Sequence, residues 1–200
     1  FENICIINDD VLKLDMENLK NSYFRSNFKV IANLPYYITS PIIMKIIQNR
    51  HMIEAAVIMV QKEVAQRLIA SPGRKDYGIL SIAVQLYSDV DLVCEVRREA
   101  FIPAPKVDSA VVRLVLRDEP RVKIHDTDLY FKVVEASFAE RRKTIKNSLK
   151  RRLALQNLPD DAIDKALAAA GIDPLRRGET LSIEEYADLT FALAKECGTL

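Results

Sequence analysis

Short apolar runs that predict strands alternate with helically spaced segments along the first part of the chain, and the alternation stops near residue 116. Aliphatic and β-branched runs bounded by polar turns are typical of buried strands, and the amphipathic segments between them are typical of crossover helices. The pattern therefore predicts an α/β sheet. Strands are expected at residues 4–7, 29–32, 55–60, 90–96 and 110–116, and helices at residues 41–50, 63–70 and 79–87.

Two of these predicted helices need a further argument. Ser40 is the expected N-cap of the helix at residues 41–50, with Pro41 at its first position. Residues 79–87 fit either a helix or a strand by pattern alone. The alternation of elements around them favours a helix.

The strand pattern ends before residue 118. Ser182 and Glu185 have the spacing of a capping box at the start of the last helical segment. We therefore expect a partial Rossmann-like sheet domain at residues 1–117 and a small all-helical C-terminal domain at residues 118–200. The helices of the second domain are expected at residues 128–152, 160–170 and 182–196.

Composition excludes several classes of protein. Hydrophobic residues make up 49% of the chain and charged residues 28%, which is typical of a folded domain and not of a disordered one. The net charge is +1, so a nucleic-acid partner has to be argued from where the basic residues lie. Three distant cysteines and two histidines, without a CxxC pair, argue against a structural zinc site and fit a reducing cytoplasm. No apolar run reaches the roughly 18 residues of a membrane span.

Asn33-Leu34-Pro35-Tyr36 follows the second predicted strand, at the sheet edge where α/β proteins bind ligands. The Asn33 side-chain oxygen and the Leu34 carbonyl could each accept an N–H bond from an exocyclic amine, which would direct the amine's lone pair at a methyl donor. Pro35 stiffens the loop, and Tyr36 offers a flat face to a base. Taken alone, these four residues are equally compatible with Asn33 capping a turn and Tyr36 packing as a half-buried aromatic.

Two further motifs follow in order along the chain. The first is Phe101-Ile102-Pro103-Ala104-Pro105-Lys106-Val107-Asp108-Ser109, and the second, at residues 138–149, reads FAERRKTIKNSL. With the motif at residues 33–36, they resemble the KsgA-type rRNA adenine N6,N6-dimethyltransferases, whose FxxRRKTIxNSL pattern the last motif matches. The resemblance covers essentially all of the chain.

The resemblance implies a sheet of the S-adenosylmethionine (SAM)-dependent methyltransferase type and a set of site residues. Tyr36 and Phe101 would hold the target adenine between their rings, where stacking is worth about 1–3 kcal/mol per base. Asp10 would bind the adenine of SAM, with Asp9 as the neighbouring alternative and a solvated acidic turn as the ordinary one. The implied catalytic residues are Asn33, Leu34, Pro35, Tyr36 and Phe101, and the implied cofactor-binding residues are Asp10 and Asn33.

A basic segment is the implied contact with RNA. Arg142, Lys146 and Lys150 recur every four residues, so one continuous helix would present them on one face. Such a stripe can follow RNA phosphates, although on charge alone an ordinary solvated helix face is favoured. The resemblance favours RNA contact. The implied RNA-binding residues are Lys62, Arg141, Arg142, Lys143, Lys146 and Lys150.

The resemblance also predicts a glycine-rich SAM loop before Phe1. The five glycines of the chain are Gly73, Gly78, Gly171, Gly178 and Gly198, and none forms a GxG. We therefore expect an N-terminally truncated enzyme whose SAM site is incomplete and which alone binds SAM weakly. The edge at residues 29–33 is then expected to be unpaired, and the strand at residues 4–7 to lose its neighbours, which predicts self-association or poor order of residues 1–12.

The resulting functional hypothesis is a cytoplasmic enzyme that dimethylates adjacent adenines in a loop of small-subunit rRNA, with a 30S-type ribosomal precursor as partner. The alternatives are a large-subunit rRNA adenine methyltransferase, which shares the Asn-φ-Pro-Tyr chemistry, and a non-catalytic rRNA-binding ribosome-assembly factor.

Overall fold

Four strands form one mixed sheet in the computed structural model, which describes residues 3–140, 142–153 and 161–198. They are β1 (Phe28–Asn33), β2 (Ile53–Gln61), β3 (Ser88–Val96) and β4 (Ser109–Leu116). The strand order is β1-β2-β4-β3, with β1 parallel to β2 and β4 antiparallel to both of its neighbours. The last four predicted strands and the α/β class are therefore confirmed.

The ends of β1 and β2 and the start of β4 lie at one edge of this sheet. Asn33 is opposite Met59 across the β1–β2 pair, and Ser109 is opposite both Gln61 and Val96. This register brings the loop after β1 and the loop before β4 to the same edge, which is where the sequence places its chemistry.

The predicted strand at residues 4–7 is wrong. These residues have no regular structure, and the side chains of Ile4 and Ile6 are 60% and 89% exposed. A strand forms only when a neighbour accepts and donates its ladder hydrogen bonds, and no described strand pairs with this segment. The apolar run alone could not supply that neighbour.

Eight α-helices occur in the described residues. The helices expected near residues 41–50, 63–70, 79–87, 160–170 and 182–196 are confirmed. They are α1 (Met16–Tyr23), α2 (Thr39–Gln48), α3 (Lys62–Ile69), α4 (Ile79–Tyr87), α5 (Thr127–Phe138), α6 (Ile145–Leu153), α7 (Ala162–Ala169) and α8 (Ile183–Glu196).

Helix starts follow local capping chemistry. The sequence pattern missed α1, whose only buried residue is Met16, and which begins where the Asp15 carboxylate accepts two backbone N–H bonds. Helix α2 starts at Thr39 with Ile38 in the N-cap position and no side-chain cap, so the prediction of Ser40 as N-cap and Pro41 as first residue is wrong by two positions. Helix α8 has the predicted capping box at Ser182.

The single helix predicted at residues 128–152 is wrong, because the chain forms α5 and α6 with a turn between them. The N–H of Lys143 donates to the carbonyl of Glu140 at 2.9 Å, and the N–H of Ile145 donates to the carbonyl of Arg176. A distant loop thus satisfies the first N–H of α6. Periodicity in the sequence cannot reveal such a tertiary bond.

The chain divides into two compact units. The sheet unit comprises Phe1–Ala65 and Tyr87–Asp118, and the helical unit comprises Gln66–Leu86 and Glu119–Leu200. The sequence places the boundary at residues 117 and 118, whereas the helical unit also takes in Gln66–Leu86. Within that unit the Tyr77 hydroxyl donates to the carbonyl of Leu181 at 3.1 Å.

Candidate active site and nucleic-acid interface

Two hydrogen-bond acceptors are available where β1 ends. Asn33 is the last residue of β1 and is exposed, whereas the Leu34 side chain is 5% exposed. The N–H of Leu34 donates to the carbonyl of Met59 at 3.1 Å, which fixes the backbone next to β2. Among the described residues, neither the Asn33 side-chain amide nor the Leu34 carbonyl has a hydrogen-bond partner.

The next carbonyl, that of Pro35, is engaged. It accepts the N–H of Ile38 at 3.2 Å and the hydroxyl of Thr39 at 3.0 Å. Neither the 3-10 turn at Tyr36–Ile38 nor α2 has a side-chain cap, so the alternative in which Asn33 caps the turn is not realised. The Pro35 carbonyl is therefore occupied, and the Leu34 carbonyl is the available backbone acceptor next to Asn33 along the chain.

Tyr36 is anchored at its far end. Its ring is half-buried, and its hydroxyl lies 2.8 Å from the Ser109 hydroxyl at the start of β4. The neighbouring Tyr37 is 86% exposed. The structure therefore joins the first sequence motif to the last residue of the second.

Phe101 lies in the loop between β3 and β4 and is half-buried. The loop contains a cis Ile102–Pro103 bond, and the Ile102 side chain is fully exposed. Asp108 closes the loop, because its carboxylate accepts the N–H of Arg98 at 3.1 Å and its carbonyl accepts the N–H of Lys62 at 2.9 Å.

Asp10 starts a turn that a lysine holds in place. The Asp10 carboxylate accepts the N–H of Leu12 at 3.0 Å, and no described hydrogen bond joins it to the motif at residues 33–36. The Lys45 ammonium, from α2, donates to the carbonyls of Leu12 and Leu14. Sequence reasoning missed Lys45, although it is the only charged residue in the apolar helix α2, and that isolation was a usable signal.

The basic residues differ in their partners. Lys146 and Lys150 each lie 2.9 Å from the Asp164 carboxylate of α7, and these hydrogen bonds hold the pKa of Asp164 below its usual range. Lys62 pairs with Glu95 at 2.7 Å. Arg142 and Lys143 are exposed in the turn before α6, without an ion-pair partner among the described residues.

Two arginines predicted to contact RNA lie outside α6. The prediction that Arg142, Lys146 and Lys150 share one helix is wrong, since Arg142 precedes the first residue of α6. Arg141, also predicted to contact RNA, lies outside the described residues.

The described ranges, residues 3–140, 142–153 and 161–198, lack two other kinds of site. These ranges contain no group of three or more His, Cys, Asp or Glu side chains that could hold a metal ion. None of the helices they contain is long and apolar enough to cross a bilayer.

Comparison with known proteins adds independent information. Residues 1–192 match the family described as ribosomal RNA adenine dimethylase. The ribosomal RNA small subunit methyltransferase A of Geobacillus thermodenitrificans is 50% identical in a 200-position alignment that covers 96% of this chain and 67% of that protein. The fold is similar to a dimethyladenosine transferase from Plasmodium falciparum (TM-score 0.75, 27% identity, 96% of this chain and 72% of that one). It is also similar to the 23S rRNA methyltransferase ErmE (TM-score 0.64, 27% identity, 94% of this chain and 70% of that one).

Proposed function

Because the chain belongs to the ribosomal RNA adenine dimethylase family, we propose that it transfers methyl groups from SAM to N6 of adenines in a loop of small-subunit rRNA. The observation that carries the proposal is the pair of unpartnered acceptors at the end of β1, the Asn33 amide oxygen and the Leu34 carbonyl. They are adjacent along the chain and come directly before a tyrosine.

This acceptor pair suits the chemistry of an aromatic amine. The N6 lone pair of adenine is delocalised into the ring and attacks poorly. Each acceptor takes one N–H bond from the amine, which favours a pyramidal nitrogen with a localised lone pair. The nitrogen then forms its bond to the methyl carbon as the carbon–sulfur bond breaks, and the amine loses one proton to solvent. Positioning and hydrogen bonding therefore supply most of the catalysis.

The residues present fit part of the cofactor. SAM supplies an electrophilic methyl group on a sulfonium that leaves as a neutral thioether. One carboxylate oxygen of Asp10 accepts the N–H of Leu12, and the other lies 3.9 Å from the Lys13 ammonium, an exposed ion pair that the amine of the SAM adenine would have to displace; exposed Asn33 would lie at the methyl-transfer end. No glycine occurs before Gly73, so the described part of the sheet unit offers no glycine backbone to the amino-acid end of SAM.

The base and the RNA backbone need separate contacts. We assign Tyr36 and Phe101 to the two faces of the adenine, since neither ring is stacked on another ring in the described structure. We assign Arg142 and Lys143 to contacts with RNA phosphates. Lys146 and Lys150 are assigned the same role, which requires a phosphate to replace Asp164 as their ion-pair partner. Lys62 is a weaker candidate because it is paired with Glu95.

Two further statements complete the proposal. The three cysteines are free in the structure, which is compatible with work in the cytoplasm on a ribosomal precursor.

The outer edge of β1 has no pairing strand in the described residues, and Ile31 on that strand is 85% exposed. We propose that this edge supports association between copies of the chain.

The central test is Asn33→Ala, assayed for methyl transfer to unmethylated 30S subunits at saturating SAM. Loss of one acceptor should slow turnover by about 100-fold, the scale seen when one preorganised hydrogen bond to a reacting group is removed. RNA affinity should change less than about twofold, because phosphate contacts dominate it.

The matched control is Asn18→Ala, which removes an exposed asparagine side chain from α1 and should leave turnover unchanged. Equal turnover of the Asn33→Ala protein and the unsubstituted chain would exclude the amine-holding role.

A further inference from the structure

A buried serine holds the tyrosine of the proposed base site. Ser109 is 0% exposed and begins β4, where it is opposite Gln61 of β2 and Val96 of β3. Strands on both sides therefore fix its backbone. Its hydroxyl lies 2.8 Å from that of Tyr36. The hydrogen bond consequently ties a half-buried ring to a buried position that has a paired strand on each side.

The residue before it, Asp108, holds the loop that carries Phe101. Its carboxylate accepts the N–H of Arg98 at 3.1 Å, and Arg98 begins the 3-10 turn that ends one residue before Phe101. Its carbonyl accepts the N–H of Lys62, the first residue of α3. Two consecutive residues thus bind the tyrosine loop, the phenylalanine loop and the start of α3.

We propose that Asp108 and Ser109 are positioning residues that set the spacing and orientation of Tyr36 and Phe101 before RNA binds. The proposal rests on the function assigned above, in which these two rings hold the adenine. A tyrosine ring turns about two side-chain bonds, and an anchor on its hydroxyl removes most of that freedom. The base then meets a prearranged face, so less ordering is left to the moment of binding.

A merely structural hydrogen bond would predict a different result. Its loss would lower the stability of the sheet unit without changing how a bound base is stacked. A positioning bond would alter stacking while the backbone contacts with RNA persist, since phosphate contacts supply most of the affinity. The two effects can be measured separately on the same RNA.

The test uses an rRNA loop oligonucleotide with 8-vinyladenine in place of the target adenine, because this fluorescent base keeps the 6-amino group and stacking quenches its fluorescence. Anisotropy of the same RNA gives the dissociation constant. For Ser109→Ala and for Tyr36→Phe, we expect the quenching to fall to about half or less, with the dissociation constant within about twofold. The double variant with Ser109→Ala and Tyr36→Phe should lose no more quenching than either single variant, because all three variants lack the same hydrogen bond.

Two controls separate stability from positioning. Ser137→Ala removes another buried serine hydroxyl, which bonds the carbonyl of Val133 in α5, and should leave the quenching unchanged. Ser109→Thr keeps a hydroxyl at the site and should retain most of the quenching. If Ser109→Ala does not fold, Tyr36→Phe decides, since it removes the same bond and keeps the ring.

The outcomes distinguish this proposal from the one on which it rests. Full quenching in both Ser109→Ala and Tyr36→Phe, with quenching intact in the unsubstituted chain, overturns the positioning role of Ser109 and leaves the base-holding function standing. Absence of quenching in the unsubstituted chain, despite RNA binding, overturns the base-holding function itself.

Discussion

Gly178 shows how one missing side chain fixes a contact in the helical unit. A Cβ at this position would lie 2.7 Å from the Ser137 carbonyl oxygen and 2.8 Å from the Ser137 Cβ. The carbonyl of Gly178 also accepts the hydroxyl of Tyr186 at 2.9 Å, and Tyr186 is fully buried. The loop therefore packs directly on the backbone of α5, which cannot move aside as a flexible side chain would.

Gly178→Ala should destabilise the chain by about 2–3 kcal/mol, because the added methyl forces two backbones apart. Gly78→Ala is the matched control, since a Cβ there meets nothing within 4 Å, and it should change stability by less than about 1 kcal/mol. Urea denaturation of both variants measures the difference. Equal stabilities of the two variants would show that the close contact is not maintained in solution.

The sequence identified single residues best where their chemistry is local. Asn33, Leu34 and Tyr36 form one short motif, and their placement at a strand end followed from the apolar run before them. The partner of Tyr36 was not predictable, because Ser109 lies 73 residues away and meets it only through the order of the strands. The pairing of Lys146 with Asp164 depends in the same way on the packing of two helices.

At the scale of elements, an ion pair closes the start of α8. Arg176 binds both oxygens of Glu185, and the side chains of the pair are 30% and 33% exposed. The Arg176 hydrogen bonds lower the pKa of Glu185, with a further contribution from the N–H of Ser182. Glu185 thus serves the capping box and the loop before it at the same time.

Glu185→Gln removes the charge and keeps a group that can complete the capping box. Because the folded-state pKa is below the unfolded one, the ion pair contributes fully above the unfolded value and is lost as pH falls through the folded value. The variant should be about 1–3 kcal/mol less stable near pH 7, and the difference should vanish in acid. Urea denaturation near pH 7 and in acid measures the free energy of unfolding of the variant and the unsubstituted chain. A stability difference that persists in acid would contradict the assignment of the effect to the ion pair.

Elements were predictable where one periodicity ran unbroken, as in β2 and α8. Prediction failed where strand pairing or a tertiary hydrogen bond determines the local structure. Residues 4–7 have the composition of a strand but no neighbour in the described sheet. The turn between α5 and α6 depends on the Arg176 carbonyl, which no helical pattern contains.

At the scale of the whole molecule, the free edge of β1 sets the expected association. Ile31 projects from this strand with 85% of its side chain exposed, so its replacement should not disturb the core. Ile31→Lys should shift the chain towards monomer, because a charge on an edge strand opposes pairing with another sheet. Sedimentation velocity over a range of concentrations measures the shift, with unfolding curves as the control. A chain that is monomeric at every concentration before substitution would rule out the proposed association.

The helical unit is built from two separate parts of the chain, and this has a consequence for synthesis. Tyr77 donates to the carbonyl of Leu181, which follows it by 104 residues, and its ring is 1% exposed in the finished unit. At about 5–20 residues per second, the ribosome delivers Leu181 about 5–20 s after Tyr77. During that interval Gln66–Leu86 has been synthesised, but the later part of the helical unit that buries it has not. We therefore expect chaperones to bind this exposed apolar segment.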